Sequence, residues 1–419
     1  MSTYLKKFND HTEYSTFTET EDFILPNVSF CKNQNEVHYN PTLSWKIKTM
    51  FSVTDISEPT IIGGYVVPCG SGRVVGFENV EKLFIDGVEV EIPQATEWKG
   101  YEYQFETTGI HRVDYLMKNT RTEEIYDEQT DTVSYETVQL DGIAIDIPLF
   151  YRCRDMIYLN IPNSVNSINI MFEENNLKTI KVADSNKTYD SRNDCNAIIG
   201  PLTESVYNEQ TGEWEEVTTE NCLILGCDNT VIPNDIAKIG SSAFAHCKSL
   251  TNVTIPNGVT SIGNNAFRDC FKLTSVTIPD SVTSIGASAF SHCYELANVN
   301  IPSGITVIEN SVFGQCKSLK SIVIPSGVTS IGNSAFHSCD ITNIVIPSNV
   351  TSIGEYCFWY CFDLTNITCL PINPPVLAYN NVFDNSVAGR KIYVPAESVN
   401  AYKTANHWKT YATEIYAIE

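Results

Sequence analysis

The chain has 419 residues, 42% of them hydrophobic, and its 27 basic against 50 acidic residues leave a net charge of −23. A chain this acidic repels phosphate backbones and anionic headgroups, which excludes nucleic-acid binding through a broad basic footprint. No stretch approaches the ~20 apolar residues that span a bilayer, so no membrane insertion is expected.

Residues 1–45 are polar, carry Asn27, Asn33, Asn35 and Asn40 between Pro26 and Pro41, and lack a long apolar period. They read as an extended arm that orders only on a partner. Val28, Phe30, Val37 and Tyr39 are separated by polar residues, as a strand added to another chain's sheet requires, and are the expected anchor contacts. Lys6 and Lys7 are followed by polar and acidic residues where a signal peptide needs an apolar run, so no export signal is expected. Residues 46–120 then show short alternating strands. Asp86-Gly87 is a hairpin signal inside Leu83 to Ile92, and Tyr101–Phe105 and His111–Leu116 flank a Thr-Gly turn. A small β-sandwich is expected there.

The segment 121–371 repeats. Ile-Pro pairs at 232, 255, 278, 301 and 324 recur every 23 residues, and Ile346-Pro347 follows after 22. Phe244, Phe267, Phe290, Phe313, Phe336 and Phe358 keep these steps, as do Cys247, Cys270, Cys293, Cys316, Cys339 and Cys361. Two degenerate copies lie upstream. One runs through Phe150, Cys153, Met156, Leu159 and Ile161, the other through Ile168, Phe172, Leu177, Ile180 and Val182. Val276 and Ile278 sit two apart, as one face of a strand requires, and Pro279 ends the strand. No copy can bury its apolar face alone, so neighbours stack, and about eight units of ~23 residues give a solenoid roughly 40 Å long. Regularly spaced cysteines read as small buried side chains with free thiols rather than as disulfides or metal ligands.

Residues 200–221 interrupt one unit. They carry Glu204, Glu209, Glu213, Glu215, Glu216 and Glu220 without Lys or Arg, and place Tyr207 and Trp214 around Gln210-Thr-Gly. This reads as a protruding acidic hairpin, with Tyr207, Trp214, Glu215 and Glu216 as expected partner contacts. Residues 372–419 read as a short helical cap. Pro395 suits a helix start, Glu397 the first turn, and Val399/Tyr402 and Trp408/Tyr411 share a face.

Catalytic signatures are missing: no H-E-x-x-H, Walker A, G-x-G-x-x-G or G-x-S-x-G occurs. His246, His292 and His337 lie close to repeat cysteines but at irregular repeat positions, so they read as surface turn residues, not zinc ligands. Cys357, Cys361 and Cys369 read as a cysteine-rich last repeat. Glu123-Glu124 and Glu215-Glu216 read as solvated hairpin charge rather than a glycosidase dyad. No catalytic, cofactor-binding or metal residue is expected. The outward strand positions, such as Ser275/Thr277 and Asn298/Asn300, offer no aromatic or Arg anchor, so contacts are expected at ends and insertions. Residues 233–371 hold 8 acidic and 6 basic residues, which leaves −21 of the −23 elsewhere.

The consensus Ala-Phe-x-x-Cys-x-x-Leu-Thr-x-Val-x-Ile-Pro-x-x-Val-Thr-x-Ile-Gly resembles the BspA-like (Treponema-type) leucine-rich repeats over about residues 142–371. The resemblance implies a mainly β fold, a leucine-rich-repeat solenoid. Residues 189–199, continuing at 222–233, resemble a variant unit of that family, here split by the insertion. Ile392 to Tyr402 resembles the family's C-terminal cap. Residues 46–118 resemble the Ig-like module that precedes such repeats in proteins of gut Bacteroidota and their phages, and Leu25 to Pro41 resembles the openings of virion proteins from crAss-like phages. Together these imply a non-enzymatic virion structural or recognition protein: a fibre, decoration or receptor-contact component made in the host cytoplasm. Its implied partners are other virion proteins through the arm and a host cell-surface protein or glycan, with homo-oligomerisation left open. The alternatives are a BspA-like adhesin on a bacterial surface and an accessory domain of a carbohydrate-active protein.

Overall fold

A computed structural model describes residues 46–54, 56–57, 60–63, 80–92, 101–117, 120–127, 132–139, 143–145, 153–168, 177–208, 213–384 and 389–419. The chain is mainly β, a solenoid of about 10 turns rather than the expected eight. Upstream, the two degenerate copies stack as expected, Met156–Ile161 pairing in parallel with Thr179–Val182, and Ile143–Ile145 pairs in parallel with Val165–Ile168. Downstream, Val376–Leu377 pairs in parallel with Ser352–Ile353, inside the segment expected as cap.

Each coil has three sides. On the first, Ser275–Thr277 lies between Asn252–Thr254 and Asn298–Val299, with Val276 turned inward and Thr277 exposed. A tight turn follows, in which Val282 N–H donates to Pro279 O at 3.0 Å. The second side is a two-residue strand, Ser284–Ile285, paired in parallel with Ser261–Ile262. The third side is a turn built on the ladder phenylalanine. Ser288 and His292, two residues either side of Phe290, hold φ of 57° and 62°, and this left-handed pair recurs in neighbouring coils. Such φ values are costly for a residue with a Cβ. They turn alternate N–H groups along the solenoid axis: Ser288, Phe290 and His292 donate to Asn310, Val312 and Gly314 of the next coil at 2.8–2.9 Å.

Inside these turns seven rings, from Phe244 to Phe383, stack at 4.9–5.7 Å with planes within 13° of parallel. The cysteines do more than fill space. Cys270, Cys293, Cys316, Cys339 and Cys361 are fully buried, and each thiol donates to the carbonyl of the ladder Phe one coil earlier at 3.1–3.2 Å. Cys247 is only partly buried, because the preceding coil has no ring there. Gly226 stands in its place, and a Cβ on it would fall 2.3 Å from the Phe244 ring. The described cysteines are all free thiols, and burial pushes Cys361 up to about 12.

The segment before the solenoid joins it. Lys46–Val53 is paired antiparallel with Gly109–Met117 on one side and with Met156–Ile161, a solenoid strand, on the other. One six-stranded sheet therefore bridges the boundary expected near residue 120. The first coil's open strand edge needs a cover, and this strand supplies it. Val80–Ile85 and Val88–Val90 form the Asp-Gly hairpin, with Asp86 and Gly87 at φ 49° and 85°. Tyr101–Tyr103 pairs with Thr60–Gly63, so the strands flanking the Thr-Gly turn belong to different sheets. Phe51, Leu83, Phe105, Val113 and Tyr115 share one core with Met156, Leu159 and Ile161.

The insertion forms an antiparallel ribbon, Ile198–Asn208 against Glu213–Leu225. Its base is a seam: Ile199 and Leu223 pack into the solenoid core, while Ile198, Cys222 and Ile224 pack into the core of the sheet.

At the C-terminal end Phe383 adds a last ring to the stack, so the solenoid continues past the boundary expected after residue 371. The cap begins with Lys391–Val394 and carries the α-helix Val399–Thr404. It ends in Ile415–Ala417, paired in parallel with Lys391–Val394. Tyr402, Trp408 and Tyr411 are buried, and their O–H and N–H groups donate to the carbonyls of Pro371, Pro375 and Asn380 at 2.7–2.8 Å. Buried Arg390 ties the cap down by donating to Glu414 at 2.6 Å and to the Phe383 carbonyl.

Candidate functional site

The Phe turns carry side chains on their outer edge, in columns that the coil repeat creates. Two residues after each ladder Phe stand His246, Asp269, His292, Gln315, Ser338 and Tyr360; four after stand Lys248, Phe271, Tyr294, Lys317, Asp340 and Phe362. Neighbouring coils lie ~4.8 Å apart, so each column is a line of touching side chains. Phe271 stacks on Tyr294 at 5.1 Å, with Lys248 5.8 Å from the Phe271 centroid and Lys317 4.7 Å from that of Tyr294. Cations over ring faces are attracted by the ring quadrupole.

Beside this row, Asp269 lies between two imidazoles, 3.3 Å from His246 Nδ1 and 3.7 Å from His292 Nδ1, with Arg268 Nε at 3.4 Å. Burial lowers the His292 pKa, and Arg268 and Lys317 push the same way against the pull of Asp269. His337 is lowered by burial and by His292. Among the described residues no group of three or more His, Cys, Asp or Glu forms a metal-holding arrangement.

Toward the C-terminal end the ridge becomes aromatic. His337 stacks on Trp359 at 5.3 Å; Trp359 meets Tyr360 at 3.9 Å and Tyr356 at 5.0 Å, and Tyr360 meets Phe362 at 5.4 Å. Phe362 is 63% exposed. Beside it opens a cleft of about 310 Å³ lined by Gln315, Lys317, Ser338, Asp340, Tyr360 and Phe362. Partial burial and the Asp363 carboxylate raise the Asp340 pKa, with Lys320 and Lys317 opposing.

The residues expected as contacts fall elsewhere. Trp214, Glu215 and Glu216 are exposed on the outer half of the ribbon, and Trp214 is in register with Tyr207. Val28, Phe30, Val37 and Tyr39 lie outside the described residues. The Phe and Cys ladder forms the core and presents no chemistry outward. The turn ridge is not among the residues expected as contacts, since the strand columns carry no anchor and the ridge lies off them. Its signal in the sequence is the pair of columns two and four after each Phe, where Lys, Phe, Tyr and Asp occur.

The model of the BspA type leucine rich repeat region matches in 6 copies, over residues 103–196, 221–340 and 283–407. Among solved structures, the chain is similar to a leucine rich cell surface protein from Faecalibacterium prausnitzii, with 33% identity, a TM-score of 0.35 and coverage of 51% of this chain and 47% of that one. A leucine-rich repeat protein from Eubacterium ventriosum matches at 22% identity and a TM-score of 0.42, over 55% of this chain and 58% of that one. One from Bacteroides ovatus matches at 20% identity and a TM-score of 0.37, over 65% and 69%. The chain thus spans about half the length of the first two. No curated protein matches it.

Proposed function

The chain belongs to the BspA-type leucine-rich-repeat family, and from that premise we propose that it is a non-enzymatic recognition protein whose turn ridge contacts a cell-surface partner. The observation that carries the reading is the contrast between faces. The strand face presents Ser, Thr, Asn and the exposed Val323 and Val345, with no aromatic or Arg anchor from Asn252 to Thr368, whereas the ridge holds Phe271, Tyr294, Tyr360 and Phe362 in rows flanked by Lys and Asp. Clustered aromatic residues on a surface mark interaction sites, and aromatic anchors dominate binding energy. The paired substitution Phe271→Ala with Tyr294→Ala, in the full chain, is expected to reduce attachment to target cells at least tenfold while the chain still unfolds in a cooperative transition somewhat below that of the parent. Undiminished attachment would remove the ridge from the reading.

In its finer form the reading makes the chain a virion component, projecting the solenoid as a fibre, decoration or receptor contact. The resemblance of Leu25 to Pro41 to openings of phage virion proteins supports this, with the arm 1–45 and its Val28, Phe30, Val37 and Tyr39 joining other virion proteins. A chain beginning at residue 46 is then expected to fold and yet fail to join particles assembled in its presence. Normal incorporation would favour the second reading, a BspA-like adhesin on a bacterial surface, which the family membership supports.

A further inference from the structure

We propose that the cleft between Lys317, Asp340, Tyr360 and Phe362 binds a hexopyranose unit of a neutral glycan. The inference deepens the recognition reading above and rests on it. A pyranose is amphipathic: one or both faces present C–H groups, and the rim presents hydroxyls that both donate and accept. The cleft matches that pattern. Tyr360 and Phe362 supply exposed aromatic surface at the cleft, 36% and 63% exposed. Tyr360 is held in place by Trp359 at 3.9 Å, and Trp359 is in turn stacked by His337, so the platform is pre-set. A rigid aromatic surface of this kind binds with little loss of side-chain entropy.

The polar rim follows from the coil repeat. Gln315 and Ser338 come from one column, Lys317 and Asp340 from the other, so two successive coils place four polar groups ~4.8 Å apart across the cleft floor. An amide, a hydroxyl, an ammonium and a carboxylate supply both donors and acceptors to a ring of hydroxyls. Charge selects the class further. Lys317 and Asp340 line the cleft with opposite charges, so it favours neither a strong anion nor a cation. Residues 233–371, which carry the cleft, hold 8 acidic and 6 basic residues, so the surrounding charge is nearly balanced and suits a neutral ligand. The volume of about 310 Å³ is at the small end of ligand sites, suited to a single ring with its neighbours extending along the ridge.

The test uses the full chain on an array of neutral, sialylated and sulfated oligosaccharides, alongside attachment to target cells before and after periodate oxidation of their glycans. Retention on neutral hexose-terminated spots is expected, with at least a tenfold loss for Phe362→Ala and for Asp340→Asn and no loss for Trp214→Ala. Phe362 is surface-exposed and Asp340→Asn preserves size, so an unchanged melting transition confirms that both variants fold. A blank array, retention confined to sialylated or sulfated spots, or equal retention by Phe362→Ala would overturn the assignment. If periodate-treated cells are bound as before and the array is blank, the glycan fails while the recognition reading stands. If the chain binds neither array nor cells, the recognition reading itself fails.

Discussion

The solenoid core and the sheet around Lys46–Val53 are both built of β-strands, yet their contacts are organised differently. In the solenoid a bond reaches about one coil back along the chain and recurs in the neighbouring coil, as with Thr260 to Ala237 O and Thr283 to Thr260 O, or Cys293 to Phe267 O and Cys316 to Phe290 O. In the sheet the bonds are single and distant. Thr49 Oγ1 donates to Val113 O at 2.8 Å, Tyr115 O–H to Ile62 O at 2.5 Å, and His111 Nδ1 meets Asp86 at 2.8 Å. A stacked array contacts only its neighbours, so its stability is a sum of similar terms, whereas the sheet depends on a few unrepeatable ones. Periodicity therefore makes one region readable from any single copy and leaves the other to long-range pairing.

The sharpest way to break this comparison is to remove one ring. Phe290 stacks on Phe267 at 5.2 Å and on Phe313 at 5.7 Å, and is fully buried. Phe290→Ala opens a cavity that neighbours on both sides cannot close, at a cost of about 3–5 kcal/mol by urea denaturation. Hydrogen exchange should show the loss concentrated in the coils of Phe267, Phe290 and Phe313 and fading outward. Uniform loss across the solenoid and the sheet would show that the array is not one-dimensional.

A smaller effect tests the cysteine column. The Cys293 thiol donates to Phe267 O at 3.1 Å, and the same carbonyl accepts the Cys270 N–H at 3.3 Å. Cys293→Ala removes one of two partners and some volume, which costs about 1–2 kcal/mol. Cys293→Ser keeps a donor and should cost no more than the alanine variant. A clearly worse serine would reduce the thiol to an apolar filler.

What was legible follows the same division. The 23-residue step of Phe, Cys and Ile-Pro was enough for the solenoid, because every copy of a column must occupy one place in the stack. Asp86-Gly87 was enough for its hairpin, because few residues tolerate two positive φ values in succession. Three features were not legible. The pairing of Lys46–Val53 with Met156–Ile161 joins segments about a hundred residues apart and leaves no local mark. The terminal coils lose Phe or Ile-Pro, since each packs on one side against a non-repeating element, the strand Lys46–Val53 or the cap, instead of a second coil. The ridge was overlooked because its residues vary from coil to coil, as a surface does, and only stacking turns Lys317, Asp340 and Phe362 into neighbours.

Acid separates the solenoid's edge from its core. His292 and His337 have lowered pKa values in the folded chain, so the unfolded chain takes up their protons first. Their contribution is present above the unfolded value of about 6.5 and is lost as pH falls below it. Asp155 and Asp340 are raised by burial and act in the opposite sense toward the carboxylate range, so the histidine slope is read on the neutral side of that range. Melting transitions followed from pH 7.5 downward should decline through this window. The double variant His292→Gln with His337→Gln should flatten the decline, and an unchanged slope would place its origin elsewhere.

The smallest effect is expected at the ribbon, which touches both regions yet belongs to them only through its base. Residues 213–218 are exposed throughout, whereas Leu223, Ile224 and Leu225 are buried. The outer half is tied back by the Lys238–Glu204 pair at 3.0 Å, a contact of two partly exposed side chains, which contributes ~0–1 kcal/mol. Replacing residues 203–218 with a short turn shortens a surface excursion, and loop length enters stability only logarithmically. The melting transition should therefore stay within about 2 °C of the parent, given the few degrees that correspond to ~1 kcal/mol in a chain of this size. A larger fall would mean that the ribbon's outer half helps hold the solenoid core and the sheet core together across the seam of Ile198, Ile199, Cys222 and Leu223. An unchanged transition with reduced cell attachment would instead make Trp214, Glu215 and Glu216 a second contact surface beside the ridge.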